Sequence, residues 1–366
     1  MAASLLIPLH IRYIQTLASH TSSLTYHLTT HLRLNAIYWA VTALHLLNAP
    51  KDALPRDEVV DYVLSCFDES RGGFGSHTGH DAHILSTLSG IQVLTIYDAL
   101  DRLQDKRERL IQYILSLQEP VTGAFAGDDT HLEYDTRFLY CAMQALALLS
   151  TCPPSSSSSS PLPPVQLPSG VTLRDPLTRL DRKKTIGAVL ASRNFDGGFG
   201  TGPGAESHAA QTFPCIGALN ILDGLDELAR TDQDRLAAWL ADRQLPNGGL
   251  NGRPQKLEDV CYSWWVLSSL SMLGKLHWVN GDKLSHFILS AQDPENGGIA
   301  DRPDNVADVF HTLFGVAGLS LLQVKPHADG LANVDPVYCL PVDVMKRLDG
   351  LARPYQRSPS ERDMNR

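Results

Sequence analysis

Three side chains with the chemistry of metal ligands lie in the last third of the sequence. Asp259 and Cys261 are separated by one residue, and His311 follows fifty residues after the cysteine. A carboxylate, a thiolate and an imidazole suit Zn²⁺, and three protein ligands leave the fourth position of a catalytic site open. The alternative is structural: Asp259 as a helix N-cap, Cys261 as a small core residue and His311 as a hydrogen-bonded core histidine.

A local basic cluster accompanies these residues. Arg253 and Lys256 lie within four residues of each other, Tyr262 adjoins the cysteine, and His208 lies about fifty residues earlier. Cationic side chains beside helix N-termini favour anions, and a diphosphate is a suitable ligand. Asp301, farther along the chain, could hold Mg²⁺ against a phosphate. The alternatives are solvated loop charges for the basic pair and a turn aspartate at 301.

The elements that must position these residues are repeats. A glycine-rich turn recurs at Gly72, Gly123, Gly197, Gly248 and Gly297, at intervals of 51, 74, 51 and 49 residues. Each turn follows an amphipathic segment and precedes a more uniformly apolar one, a pattern typical of an outer helix that covers a buried inner helix. When residues are counted from each turn, the candidate ligands fall at the starts of inner helices. Residues about fifty positions apart can therefore meet at one edge of the inner helical layer. About six units are expected, as an open solenoid or a closed ring.

Aromatic side chains follow the polar positions along the inner helices. They are Tyr38, Trp39, Trp264, Trp265 and Phe314. Inside a helical ring such residues could hold a long apolar chain, and the alternative is that they belong to an ordinary core.

The longest interval between turns contains a Pro/Ser-rich tract with six consecutive serines. Such a composition cannot bury enough apolar surface to fold by itself. We therefore expect a single domain over residues 1–366, with a disordered insertion at about 152–178 and a flexible tail at about 354–366.

Composition and charge exclude several classes of protein. The 366 residues are 43% hydrophobic, which can fill a core, and they carry a net charge of −9. That acidic balance argues against a nucleic-acid surface and against a polybasic membrane anchor. No apolar run approaches the roughly 18 residues of a membrane span, and the six cysteines contain no C-x-x-C pair. We expect no membrane span, no disulfide framework and a cytoplasmic location.

The glycine turns, the Asp259-x-Cys261-Tyr262 motif and His311 together resemble the β subunits of protein prenyltransferases, and most closely the Rab, or type II, geranylgeranyltransferase branch. The long central motif, which contains P-N-G-G-L-N-G-R-P-Q-K-L-E-D-V-C-Y, is highly specific. The stretches that carry the likeness are 79–98, 133–138, 194–200, 203–211, 243–267, 300–322 and 333–341.

The resemblance implies an all-α fold, an α/α toroid in which six helix pairs close into a ring. It also implies one Zn²⁺ per chain, bound by Asp259, Cys261 and His311, and it matches Asp301 to an aspartate linked to Mg²⁺. Two positions depart from the family pattern and bear on lipid length: Asn35 replaces a serine and Ala210 replaces a glycine.

Two binding surfaces are implied by the same resemblance. One is a diphosphate site and the other is a wall along which the isoprenoid lies. The diphosphate residues are His208, Arg253, Lys256 and Tyr262, and the wall residues are Ala209, Ala210, Ser263, Trp264 and Trp265.

The implied activity is that of a catalytic β subunit. It would transfer a C20 geranylgeranyl group from geranylgeranyl diphosphate to C-terminal cysteines of Rab GTPases, together with an α subunit and a Rab escort protein. The alternatives are a CaaX-type β subunit (type I geranylgeranyl- or farnesyltransferase) and a non-catalytic toroid scaffold, which would bind no zinc. A terpene cyclase is disfavoured because the sequence has no D-x-D-D motif.

Overall fold

The computed structural model describes residues 4–152, 161–348 and 351 of the chain. A short antiparallel hairpin, β1 (Val165–Gln166) and β2 (Thr172–Leu173), accompanies the helices. Among the described residues, no helix combines the length and the apolar composition that crossing a bilayer requires. The α-helices, in chain order, are α1 (Ile7–Ser19), α2 (Leu24–Leu28), α3 (Arg33–Leu46), α4 (Arg56–Ser65), α5 (Ile84–Ile96), α6 (Arg107–Ser116), α7 (Thr136–Leu149), α8 (Arg182–Ala191), α9 (Ala209–Ile221), α10 (Arg230–Ala241), α11 (Tyr262–Met272), α12 (Gly281–Ser290), α13 (Val309–Leu322) and α14 (Val342–Arg347).

Six helices form an inner layer that closes into a ring. Helices α3, α5, α7, α9, α11 and α13 each pack against the next, and α13 packs against α3. These helices are buried on nearly all sides; in α5, every residue from Ser86 to Ile96 is buried. The predicted toroid of six helix pairs is therefore confirmed, and the open solenoid is excluded.

The outer layer consists of helices that are apolar on one face. Helices α1, α4, α6, α8, α10 and α12 each pack against the inner helix that follows them in the chain. In α6, for example, Leu110, Ile111 and Ile114 are buried, whereas Arg109 is half-buried and Gln112 is exposed. Such a helix gains stability by covering an apolar inner helix.

The glycine turns connect neighbouring units. At Gly248, φ is +93°, and a Cβ atom would collide with the backbone oxygen of Lys283 in α12. At Gly297, φ is +80°, and a Cβ atom would collide with the backbone oxygen of Leu9 in α1. Glycine alone tolerates both the left-handed backbone and the close approach. The last turn thus docks on the first helix, which closes the outer layer as well.

One end of the ring is filled by the segment after α13. Tyr38 donates a hydrogen bond from Oη to the Cys339 carbonyl (2.9 Å), and Gln144 donates one to the Tyr338 carbonyl (2.7 Å). Tyr38 is buried, which agrees with the alternative that it belongs to the core. The N-termini of the inner helices lie together at the opposite end, which we call the mouth.

The segment expected to be a disordered insertion contains ordered elements from Val165 onward. Its β1–β2 hairpin leads to Asp175, a buried carboxylate that accepts hydrogen bonds from Arg179 (2.6 Å) and Arg107 (3.2 Å). Arg107 also donates to the carbonyl of Leu149, at the end of α7 (3.2 Å). These buried charges anchor a stretch whose composition alone suggested no packing. Residues 153–160 of the expected insertion, and the expected flexible tail at 354–366, lie outside the described residues.

Candidate metal centre and binding surfaces

The three candidate zinc ligands meet at the mouth. Asp259 and Cys261 lie on the turn that leads into α11, and His311 is in the first turn of α13, the next inner helix. One ligand atom from each residue lies within 4.8 Å of the others. His311 Nε2 and Asp259 Oδ1 are 3.2 Å apart, close to the ~3.3 Å between two tetrahedral ligands of zinc. The donor set and its spacing fit Zn²⁺.

Local hydrogen bonds keep the first two ligands out of the helix. The backbone N–H of Cys261 donates to Asp259 Oδ1 (2.8 Å), and the N–H of Val260 donates to the carbonyl of Asp301 (2.9 Å). On a regular helix, residues i and i+2 would point in nearly opposite directions. The turn allows a carboxylate and a thiol separated by one residue to face the same point.

Asp308, which the sequence analysis did not single out, orients the histidine. It is the N-cap of α13: Oδ1 accepts the backbone N–H of His311 (2.8 Å), and Oδ2 lies 2.6 Å from His311 Nδ1. A carboxylate on one ring nitrogen directs the other nitrogen to a metal. The sequence signal that could have identified Asp308 is its position three residues before His311, as a helix cap.

The electrostatics of the centre favour a cation. Burial raises the pKa of the Cys261 thiol well above its usual value, and the Asp259 carboxylate adds to the rise. Burial alone would lower the pKa of His311, but its contacts with Asp259 and Asp308 outweigh burial and raise that pKa to about 9. At neutral pH the imidazole is therefore protonated between two carboxylates. A divalent cation would displace that proton, as metals commonly do when they bind.

The predicted diphosphate residues lie on one side of the mouth. Tyr262 Oη is 3.4 Å from Nε2 of His208, the N-cap of α9. Arg253 forms an ion pair with Glu206, and Lys256 is exposed on the same loop. Burial, followed by the charge of Arg253, lowers the pKa of His208. An anionic ligand would compete with Glu206 for the guanidinium group.

A continuous series of aromatic rings follows the inner face of the ring of helices. Only Trp39, Trp265 and Phe314 of the series were named from the sequence. The others went unrecognised because an inner helix that is apolar on all sides does not reveal which residues face the centre. Successive ring centroids lie 4.5–5.2 Å apart in the order Trp39, Phe310, Phe314, Trp265, Phe213 and Tyr140.

The residues expected along the lipid differ in accessibility. Ala209, Ser263 and Trp264 are fully buried, and Ser263 packs against Gly318 of α13. Ala210 and Trp265 are partly exposed. These two could therefore contact a ligand without rearrangement, whereas the other three support them.

Two further predicted residues lie near the mouth. Asn35 donates from Nδ2 to Ser89 Oγ (3.0 Å), which ties α3 to α5. The carboxylate of Asp301 accepts hydrogen bonds from Arg302 (3.1 Å) and Asn305 (2.8 Å). Its backbone carbonyl holds the turn between the first two zinc-ligand candidates, so Asp301 lies beside the metal centre. A role in binding Mg²⁺ remains a prediction.

A closed ring of six helix pairs, with an Asp–Cys–His cluster and a basic loop at its mouth, defines the class of the protein. The family model for the prenyltransferase alpha-alpha toroid domain matches residues 5–340, and the chain belongs to this family. Comparison with individual relatives shows which branch of the family the chain resembles. It is 48% identical to the geranylgeranyl transferase type-2 subunit beta of Saccharomyces cerevisiae, over 92% of this chain and 94% of that protein.

A plant relative agrees with the yeast protein. The geranylgeranyl transferase type-2 subunit beta 1 of Arabidopsis thaliana is 42% identical over 93% of this chain and 94% of its own length. The predicted relationship to type-2 β subunits is therefore confirmed. Among solved structures, Candida albicans protein geranylgeranyltransferase-I complexed with GGPP matches 96% of this chain and 100% of its own with a TM-score of 0.75. At 20% identity, that likeness shows the fold alone.

Proposed function

We propose that this chain is the catalytic β subunit of a zinc-dependent type-2 geranylgeranyl transferase. It would transfer the C20 group of geranylgeranyl diphosphate to C-terminal cysteines of Rab GTPases, with an α subunit as partner and an escort protein that presents the Rab. The observation that carries the proposal is the convergence of Asp259, Cys261 and His311 beside the basic loop at the mouth of the ring.

The residues of the chain divide the work of the reaction. Asp259, Cys261 and His311 would hold Zn²⁺, which when bound lowers the pKa of a coordinated thiol so that thiolate forms at neutral pH. A C–S bond then forms as the C–O bond to the diphosphate breaks, and the thiol proton passes to solvent. Lys256 and Tyr262, with the other basic-loop groups, would stabilise the negative charge that develops on the departing diphosphate.

Further assignments concern the cation and the compartment. We assign Asp301 to a Mg²⁺ that accompanies the diphosphate, since its backbone carbonyl contacts the turn of the metal centre and its carboxylate is only half-buried. We assign the protein to the cytoplasm, because the six cysteines, all of them within the described residues, form no disulfide, as is usual in a reducing compartment.

The aromatic series gives the isoprenoid an apolar path from the mouth into the ring. Each buried methylene contributes about 0.8 kcal/mol, so the five carbons that distinguish C20 from C15 are worth at most about 4 kcal/mol. The depth of the path can therefore discriminate strongly between the two lipids. Asn35 and Ala210 are the positions at which this chain would adjust that depth.

The test is metal analysis of the purified α/β heterodimer, combined with transfer of labelled C20 and C15 groups to a Rab and to a CaaX peptide. We expect one zinc per heterodimer and C20 transfer to the Rab. A heterodimer without zinc would favour the scaffold, and preference for the CaaX peptide would favour the type I or farnesyl alternative.

A pair of cysteine variants tests the ligand assignment. Cys261→Ala should lose both zinc and turnover. Cys215→Ala, which removes an equally buried thiol from α9, should keep both. If Cys261→Ala retains its zinc and its turnover, the assignment is wrong.

A further inference from the structure

Helix α1 differs from α6, α10 and α12, the other outer helices that meet a turn with two consecutive glycines. The second glycine of a turn packs against an aromatic ring of the next outer helix, and in α1 that ring is Tyr13. Three residues before the aromatic, helices α6, α10 and α12 carry leucine, whereas α1 carries the fully buried His10. The corresponding pairs are Leu110 and Tyr113 in α6, Leu236 and Trp239 in α10, and Leu284 and Phe287 in α12.

His10 forms a fixed bridge between the two ends of the ring. Its Nδ1 accepts the backbone N–H of Gly298 (2.9 Å), and its Nε2 lies 2.9 Å from Gln292 Oε1. The same glutamine oxygen accepts the backbone N–H of Leu6 (2.9 Å). Since Nδ1 is an acceptor, the ring proton belongs on Nε2, and the imidazole is neutral. A leucine at this position could make neither bond.

Tyr13 binds the other end of the loop that contains Gly298. Its Oη donates to the carbonyl of Ala307 (2.9 Å), the residue before Asp308. A Cβ atom on Gly298 would lie 2.9 Å from the Tyr13 ring and 2.8 Å from the Ala307 side chain. The loop 297–308 is therefore held against α1 near both of its ends.

The loop 297–308 supports all three candidate zinc ligands. Asp308 caps α13 and orients His311, while the Asp301 carbonyl holds the turn that carries Asp259 and Cys261. The aromatic of α6 offers a contrast, because Tyr113 occupies the position of Tyr13 but its buried hydroxyl has no hydrogen-bond partner among the described residues. Only in α1 is the hydroxyl of this aromatic bonded to the backbone beside a metal-centre residue.

We propose that α1 is a positioning element of the metal centre, in which the Tyr13 hydroxyl and His10 fix the loop 297–308 so that the histidine meets the carboxylate and the thiol. The inference rests on the proposed zinc site. It concerns the zinc affinity of the folded protein, which is separable from a contribution of α1 to stability.

Two Tyr→Phe variants of the α/β heterodimer provide the test. Zinc affinity is measured at equilibrium by competition with a chromophoric chelator, and the melting temperature is measured without zinc. Direct partners of metal ligands change affinity by about 10- to 100-fold; one bond farther away, Tyr13→Phe should weaken zinc binding by about three- to tenfold. Tyr113→Phe, the matched control, should stay within about twofold of the wild type.

A second pair of variants tests His10 and does not depend on the tyrosines. The side chain of His10→Gln can still accept from Gly298 and donate to Gln292, so this variant should retain most of the zinc affinity. His10→Leu can make neither bond, so its zinc affinity should fall. Unchanged affinity in both Tyr13→Phe and His10→Leu would overturn the inference, as would equal losses in Tyr13→Phe and Tyr113→Phe. A wild type that binds no zinc would refute the proposed function itself, which distinguishes the two failures.

Discussion

The carboxylate behind the histidine offers a sharp test of the metal centre. In Asp308→Asn, the amide oxygen can still accept the N–H of His311, so the cap of α13 is preserved. The amide nitrogen, however, would take the place of Oδ2, which lies 2.6 Å from His311 Nδ1. An amide N–H facing Nδ1 forces the ring proton onto Nε2, the nitrogen that faces Asp259 at 3.2 Å. That tautomer cannot bind a metal through Nε2.

The magnitude follows from these contacts. Loss of such a carboxylate partner lowers metal affinity by about 10- to 100-fold, which equals about 1.4–2.7 kcal/mol. Because asparagine is also a good N-cap, the stability of the zinc-free protein should change little. Asp308→Ala removes the cap as well and should cost about 1 kcal/mol more in the free energy of unfolding.

The assay is zinc competition on the heterodimer, with urea denaturation of the zinc-free protein alongside. We expect Asp308→Asn to lose zinc affinity at nearly constant stability and Asp308→Ala to lose both. Wild-type zinc affinity in Asp308→Asn would show that His311 is not oriented by this carboxylate, and the argument for its role as a ligand would lose its support.

Three further outcomes are expected. Asp175→Asn leaves the buried Arg107 without an anion, so the free energy of unfolding measured by urea titration should fall by about 3 kcal/mol. An unchanged urea midpoint would show that Asp175 does not anchor this segment. Burial lowers the pKa of His10 below 6.5, so its contribution to stability is complete above pH 6.5 and is lost as the pH falls below that value; His10→Gln should flatten the stability profile between pH 7.5 and 5. Trp265→Ala removes the ring that lies 4.5 Å from Phe314 and should weaken geranylgeranyl diphosphate binding by about 2 kcal/mol in calorimetry. Unchanged affinity would show that the isoprenoid does not contact this ring.

Much of the fold and part of the candidate site could be predicted from the sequence. The glycine spacing gave the repeat length, and counting from each turn brought Asp259, Cys261 and His311 to the starts of neighbouring inner helices. This worked because every unit begins its inner helix at nearly the same distance along the chain from its glycine turn. Closure into a ring was not contained in the spacing, since it depends on α13 meeting α3 across nearly the whole chain.

The features that escaped sequence reasoning have physical causes. Asp308 looks like any helix cap until its second oxygen is seen on the histidine. Phe213 and Phe310 lie in helices without an amphipathic pattern, so their direction could not be read. The fold of residues 161–178 depends on Asp175 meeting Arg107, a contact between residues 68 apart.

The joining of the last glycine turn to the first helix has a consequence for how the protein comes apart. A linear array of repeats can fray from either terminus, because its outermost units have one neighbour each. Here every unit has two, and melting must begin at a junction. The seam between α1 and Gly297 is the junction where the chain is not continuous, and it adjoins the Asp–Cys–His cluster. A metal ion held by this cluster, as proposed, would therefore be released when the ring first opens at this junction. Its binding would stabilise the junction against opening.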